Sequence, residues 1–219
     1  MADRTLAHLR KALTWYAARD DEFNTPIVRG MARTKPKERA RKRTLSGEEL
    51  QDVWRALDAL TGPYPALVRL LTLTALRRTD VGGFRRRELE REDLWTIPAE
   101  RFKGNIDHAV ALTAAAKAII AAQPVRLTTR GKPDRQLDHV FSRSGRSPFG
   151  GWSKCKAELD GKIAEQRKAE GREPMPPWVL HDLRRTARSL MSQAGVLSDI
   201  AERVLGHVLP GVPRSLRSL

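Results

Sequence analysis

The chain has 219 residues, 40% of them hydrophobic, enough for one ordinary domain with an appendage and for a packed core. Lys and Arg number 41 against 26 Asp and Glu, a formal net charge of +15 that points to a polyanionic partner, nucleic acid first. A membrane surface is the rival polyanion, but no long apolar run, signal-peptide core or lipidation motif supports it, and the single cysteine, Cys155, excludes an internal disulfide or a cysteine zinc cage.

The first stretch, DRTLAHLRKALTWYAARDDEF, places Leu6, Leu9, Leu13 and Tyr16 three and four apart, one face of a helix that has nothing of its own to pack against. Composition then switches. From Arg29 to Arg43 there are eight basic residues (Arg29, Arg33, Lys35, Lys37, Arg39, Arg41, Lys42 and Arg43) against one acid, Glu38, with no apolar period. This is a linker, either a solvated charge run or a strand that lies along DNA phosphates.

A compact unit is expected from residue 44. In TLSGEEL, Thr44 or Ser46 can cap a helix whose first turn holds Glu48 and Glu49, close to a capping box. EELQDVWRALDAL and PALVRLLTLTAL read as two helices separated by Thr61-Gly62-Pro63. LWTIPAE and HAVALT read as two short strands with RFKGNID as the turn between them. LTAAAKAIIAAQ is a helix by propensity, followed by a Gly-, Pro- and Arg-rich loop from about Leu127 to Pro148. WSKCKAELDGKIAEQRKAEG is another helix, REPMPPW a rigid loop, and two final helices from Leu180 break at Ala194-Gly195. The expected fold is mainly α with a small antiparallel β-sheet.

Several residues carry potential chemistry. In HDLRRTA, His181 and Arg184 are three apart on one helix face, where an imidazole and a guanidinium can hold two oxygens of one phosphoryl group; alone, the pair also fits an exposed basic face. In LRRTD, read as helical, Arg77 and Asp80 have the same spacing, so the carboxylate can orient the guanidinium or form an ordinary surface pair. Lys103 at the hairpin tip is either solvent decoration or a mobile proton donor, and Gly206-His207 is either a helix C-cap with an incidental histidine or a further site residue. Together they run Arg, Lys, His-x-x-Arg, His in chain order.

With these motifs the sequence resembles the tyrosine recombinase, or phage integrase, family over nearly its whole length. LTLTALRRTDVGGFRRREL is similar to the segment with the first active-site arginine, here Arg77 with Asp80 as its acidic neighbour, and LWTIPAERFKGNIDHAVALT to the hairpin with the active-site lysine, here Lys103. LHDLRRTARSLM is similar to the box that supplies His181 and Arg184, and ERVLGH to the box that ends in His207. The resemblance implies the DNA breaking-rejoining catalytic fold for residues 44–219, the last helix of a core-binding domain for 1–28 and a DNA-binding inter-domain linker for 29–43. It also implies strand transfer on double-stranded DNA with no metal and no cofactor, in a cytoplasmic, nucleoid-associated protein. Arg77, Arg184 and His207 would hold the nonbridging oxygens, His181 would assist proton transfer at the nucleophile, and Lys103 would protonate the leaving 5′-oxygen.

The family pattern has a nucleophilic tyrosine about nine positions after the histidine of LGH, and that position here is Leu216. The two tyrosines, Tyr16 and Tyr64, read as packing residues, and neither Ser215 nor Ser218 is a good substitute, because a serine hydroxyl needs far stronger activation than a phenol. The expectation is therefore a recombinase domain shortened at both ends, DNA-binding and without cutting activity of its own. An alternative is a regulator that occupies recombination sites or mixes with an intact recombinase or with copies of itself. An unrelated RNA-binding protein is disfavoured by the low aromatic content of 5%.

Overall fold

The computed structural model describes residues 2–28, 30–32, 41–127 and 136–207. The linker residues Arg33, Lys35, Lys37 and Arg39, and Leu216 with its flanking serines, lie outside the described residues. The chain divides into two compact units, residues 1–42 and 43–219.

In the first unit, α1 (Ala2–Ala17) carries the Leu6, Leu9, Leu13 stripe, yet none of its residues is buried, and Leu9 is 51% exposed. The segment after it folds back locally. Tyr16 meets Phe23 edge-on at 4.9 Å, and Arg10 Nη2 donates to the Val28 carbonyl at 2.9 Å.

The second unit begins with α2 (Gly47–Ala56), whose N-cap is Ser46: its hydroxyl accepts from Glu49 N at 3.2 Å while Glu49 Oε2 accepts from Ser46 N at 2.8 Å. After a short 3-10 turn, α3 (Tyr64–Thr74) runs through the middle of the unit. Its Leu67, Val68 and Leu70 are fully buried, as expected of a helix apolar on most of its surface. The helix stops at Ala75, which takes a left-handed conformation (φ 55°), and α4 (Arg78–Gly82) starts three residues later. LRRTD, expected to be helical, is so only from Arg78. Arg77 is extended and sits before α4, and Asp80 caps that helix by accepting the Arg77 backbone N–H at 3.3 Å.

The sheet has three strands where the sequence suggested two: β1 (Leu89–Arg91), β2 (Leu94–Ile97) and β3 (His108–Ala111), antiparallel in that order. β2 pairs with β3 from Leu94↔Ala111 to Ile97↔His108, so Trp95 and Val110 face the core together. Helix α5 (Ala114–Ala121) is capped by Thr113 and is followed by a two-residue ribbon, β4 (Arg126–Leu127) with β5 (Gln136–Leu137). The expected loop from 127 to 148 is therefore more than a loop. Val140 and Phe141 are core residues, and Val140 N bonds to the Phe84 carbonyl at 3.0 Å. Phe84 in turn packs on Trp95 with ring centroids 4.2 Å apart.

Helices α6 (Trp152–Ala169), α7 (Leu180–Gln193) and α8 (Ser198–Val204) complete the unit. A buried carboxylate clasps α2 to the end of α6. Asp52, with no exposed surface, accepts from Arg167 Nε at 2.9 Å, from both Arg172 Nη atoms at 2.8 Å and from Arg55 Nη2 at 2.8 Å. Burial alone would raise its pKa, but the hydrogen bonds from Arg172, Arg55 and Arg167 prevail and hold it at about 2. Among the described residues no helix is long and apolar enough to cross a membrane, and no cluster of His, Cys, Asp or Glu is placed to hold a metal ion.

Candidate active site

The break between α3 and α4 builds the centre of the site. At Ala75 the chain leaves the helical ladder, and the freed carbonyl accepts Arg184 Nη1 at 2.7 Å. Arg184 comes from the first turns of α7, only 4% exposed, and its Nη2 donates to the Leu205 carbonyl at the end of α8 and contacts His207 Nε2 at 2.9 Å. One guanidinium therefore ties three segments together, a task for a planar fork rather than a flexible ammonium. Burial first, and then the charge of Arg77, lowers its pKa to about 10, so it remains a cation at neutral pH.

Arg77 approaches from the other side. Its guanidinium carbon lies 5.4 Å from the Phe102 ring centroid, its Nη1 is 3.9 Å from Asp80 Oδ2, and that buried Nη1 has no hydrogen-bond partner. Asp80 is 2% exposed; burial raises its pKa, opposed by Arg77, Arg101 and Arg184. An orphaned buried N–H on a cation is costly unless an acceptor arrives. The Phe102 ring under Arg77 stacks on His108 at 4.4 Å.

His207 sits just beyond Gly206 in the turn that ends α8, where His207 N bonds to the Glu202 carbonyl at 2.9 Å and Gly206 N to that of Arg203 at 2.8 Å. Its Nδ1 contacts Glu202 Oε2, and Glu202 also accepts Arg188 Nε at 2.8 Å. The Arg188 hydrogen bond is the main reason that the Glu202 pKa is lowered. With the carboxylate on Nδ1, the ring carries its proton there and turns the Nε2 lone pair to Arg184.

The structure thus brings Arg77, Arg184 and His207 to one pocket with Asp80 behind them. His181, one turn ahead of Arg184, is exposed and lines a neighbouring cleft; partial burial and then the charges of Arg185 and Arg184 lower its pKa. Lys103 is exposed in the loop between β2 and β3, and among the described residues no hydrogen bond or ion pair joins it to the pocket. Of the linker cations only Arg41, Lys42 and Arg43 are described; Arg43 pairs with Glu49 at the start of the second unit.

Sequence reasoning missed three contributors. Glu202 and Arg188 orient His207, and a signal was available: Arg188 follows Arg184 by four positions on the same helix face. Arg101 was also missed. It donates twice to the buried Glu88, at 2.8 and 2.6 Å, and once to the Asp80 carbonyl at 2.9 Å, which anchors the hairpin to α4. Two cations and an imidazole backed by a carboxylate form a surface for a tetrahedral oxyanion such as a phosphodiester.

Comparison with known proteins agrees with this architecture. A model of the phage integrase family matches residues 43–210. No protein of curated function matches the chain in sequence. Among solved structures, a lambda integrase tetramer bound to a Holliday junction aligns with TM-score 0.64 at 15% identity, over 98% of this chain and 60% of that one. The Tn1549 transposon integrase in complex with circular intermediate DNA aligns with TM-score 0.62 at 11% identity, over 92% and 70%. The XerH site-specific recombinase bound to its difH substrate aligns with TM-score 0.51 at 18% identity, over 76% and 47%. The chain thus spans 47% of the XerH chain and 60% of the lambda integrase chain, and at such identities the likeness is one of fold. The fold is that of the tyrosine recombinase catalytic domain, and the chain belongs to the phage integrase family.

Proposed function

We propose that residues 44–219 form a recombinase catalytic domain that binds duplex DNA and grips one phosphodiester between Arg77, Arg184 and His207, with residues 1–28 and the basic segment 29–43 as the preceding helix and DNA-binding linker. The observation that carries this reading is the convergence of a buried, carbonyl-pinned Arg184 with an Arg77 whose Nη1 lacks a partner. A nonbridging oxygen would satisfy that N–H, and a second would displace Nε2 of His207 from Arg184. His207 would face the same oxygens through Nε2, its ring held in place by Glu202 at Nδ1. His181 would serve proton transfer at the attacking oxygen and Lys103 at the leaving one, the latter after the hairpin tip moves toward the DNA.

The chain holds two tyrosines, and neither suits attack. Tyr64 is 3% exposed and stacked on Phe149, with its hydroxyl buried and its pKa raised by burial, and Tyr16 belongs to the first unit. With Leu216 nine positions after His207, the chain binds but does not cut by itself. That residue also favours a second reading, a non-cutting competitor that occupies sites or joins assemblies of an intact recombinase; added protein would then suppress recombination by that enzyme.

The test is to give Leu216→Tyr a random-sequence library of nicked duplexes and recover protein-linked DNA under denaturing conditions. Covalent DNA with Leu216→Tyr, lost again in the Arg184→Ala background and absent with the parent chain, is the expected result. No duplex binding by the folded parent chain would refute the reading.

A further inference from the structure

Next to the Arg77/Arg184 pocket lies a second cleft of about 380 Å³, lined by Arg78, Trp152, Ser153, Lys156, Leu180 and His181. Clefts that seat small ligands start at roughly 300 Å³, so one nucleotide unit is of the right order.

Its walls are fixed. The Trp152 indole is pressed so closely to Gly82 that a Cβ there would stand 2.6 Å from Cζ2, and it meets Phe149 edge-on at 4.8 Å. Lys156 is also held. Its ammonium lies 3.9 Å above the centre of the Trp178 ring and 2.6 Å from both carboxylate oxygens of Asp160, and its side chain is only 16% exposed. Arg78 has its guanidinium 5.9 Å from the Trp152 ring centroid and forms no ion pair among the described residues.

Cleft and pocket are joined through sequence neighbours. Arg77 is extended and α4 starts at Arg78, so the two guanidiniums part: the first lies over Phe102, the second over Trp152. On α7, His181 lines the cleft and Arg184, three residues on, the pocket. A phosphodiester fixed in the pocket has its neighbour one nucleotide away along the strand. The cleft offers that neighbour two cations and an aromatic wall for the sugar between them.

Resting on the proposed DNA-binding function, we infer that this cleft is a second phosphodiester subsite, in which Arg78 and Lys156 hold a phosphate adjacent to the one gripped by Arg77 and Arg184 and the connecting sugar lies against Trp152. Lys156 then exchanges Asp160 for the phosphate without leaving the Trp178 ring.

The test is fluorescence anisotropy of a labelled duplex of about 30 base pairs with the full chain, across roughly 50–200 mM salt, where the slope of log affinity against log salt counts phosphate contacts at about 0.9 each. Arg78→Gln and Lys156→Gln keep the side-chain stems. Each is expected to flatten the slope by about one contact, and the double variant by about two. Lys162→Gln, on the same helix and paired with Glu165 at 2.9 Å, removes the same charge away from the cleft and should barely change the slope. Arg78→Gln/Lys156→Gln behaving like Lys162→Gln, while Arg77→Ala still loses affinity, would overturn the subsite and leave the pocket standing. A folded parent chain that binds no duplex would remove both. If Lys156→Gln melts markedly earlier than the parent, Arg78→Gln alone decides.

Discussion

Gly206 lies against the ring of Phe102 so closely that a Cβ on it would stand 2.2 Å from Cζ, and its φ of +63° is one that side chains disfavour. This contact joins the end of α8, which presents His207, to the aromatic platform under Arg77. Gly206→Ala should therefore cost about 1–2 kcal/mol for the left-handed backbone and a further ~1–3 kcal/mol for overpacking. Thermal melting would show it. Phe102→Leu in the same chain should restore part of the loss, and an alanine variant that melts like the parent would mean that the turn yields freely.

Arg184 and Arg77 should separate stability from binding. Arg184→Lys leaves at least one of the buried carbonyls of Ala75 and Leu205 without a donor, a loss of roughly 1–3 kcal/mol together with weaker duplex binding. Arg77→Ala removes a guanidinium with an idle Nη1, a cation over Phe102 and a 3.9 Å ion pair to Asp80, but Asp80 keeps the backbone N–H of residue 77 and the charges of Arg101 and Arg184, so stability should drop by about 1 kcal/mol while duplex affinity falls severalfold. Equal effects of the two on melting would contradict this division of labour.

The parts of the fold visible in the sequence are those set by local chemistry. The Ser46–Glu49 box, the Thr113 cap and the glycine stops after α7 and α8 each satisfy backbone groups within a few residues, so their spacing reveals them. The left-handed stop after α3 and the extended Arg77 did not show, because the stop residue is Ala75 rather than glycine and the run LTLTAL stays apolar through the break. β1 was hidden by its charged LER sequence, and Val140 and Phe141 by the basic residues around them; β1 is recruited by Trp95 across a tight hairpin, and Val140 and Phe141 by the distant Phe84 in the core. In the site, motif spacing singled out Arg184 and His207, which the fold sets in contact across 23 positions, and Lys103, which it leaves exposed. Glu202, Arg188 and Arg101 act through ion pairs whose partners only the tertiary structure supplies.

His108 introduces an acid sensitivity. Burial, and then the nearby charges of Arg184 and Arg77, lowers its pKa from 6.5 to about 4, despite a hydrogen bond to the Val204 backbone, and its Nε2 is buried without a partner. A depressed histidine pKa means that the unfolded chain binds the proton more readily. Its contribution is complete above pH 6.5 and is lost as pH falls toward about 4, by about 1.4 kcal/mol per unit and roughly 3 kcal/mol in all. His108→Phe keeps the stack on Phe102 and should make the loss of stability between pH 6.5 and 4 less steep. An unchanged slope in denaturant melts of the variant would assign the acid loss elsewhere.

Asp52 is the second pH-sensitive point. Three arginines converge on it, and with Asn in its place Arg167, 9% exposed, keeps its charge without its hydrogen-bonded carboxylate. Asp52→Asn should destabilise by roughly 3–5 kcal/mol, the usual result of removing one partner from a buried ion pair. The wild-type carboxylate is depressed from 3.8 to about 2, so its contribution is whole above pH 3.8 and disappears as pH falls through 2. The variant should lack that acid limb. Replacing Asp52 and Arg167 together with Leu and Met tests whether the clasp is needed at all: a double variant that recovers most of the stability means that burial of the α2–α6 contact, rather than the ion pair, holds these helices together. A double variant as unstable as Asp52→Asn would instead assign the loss to Arg55 and Arg172, which would keep Glu170 but lose the buried carboxylate.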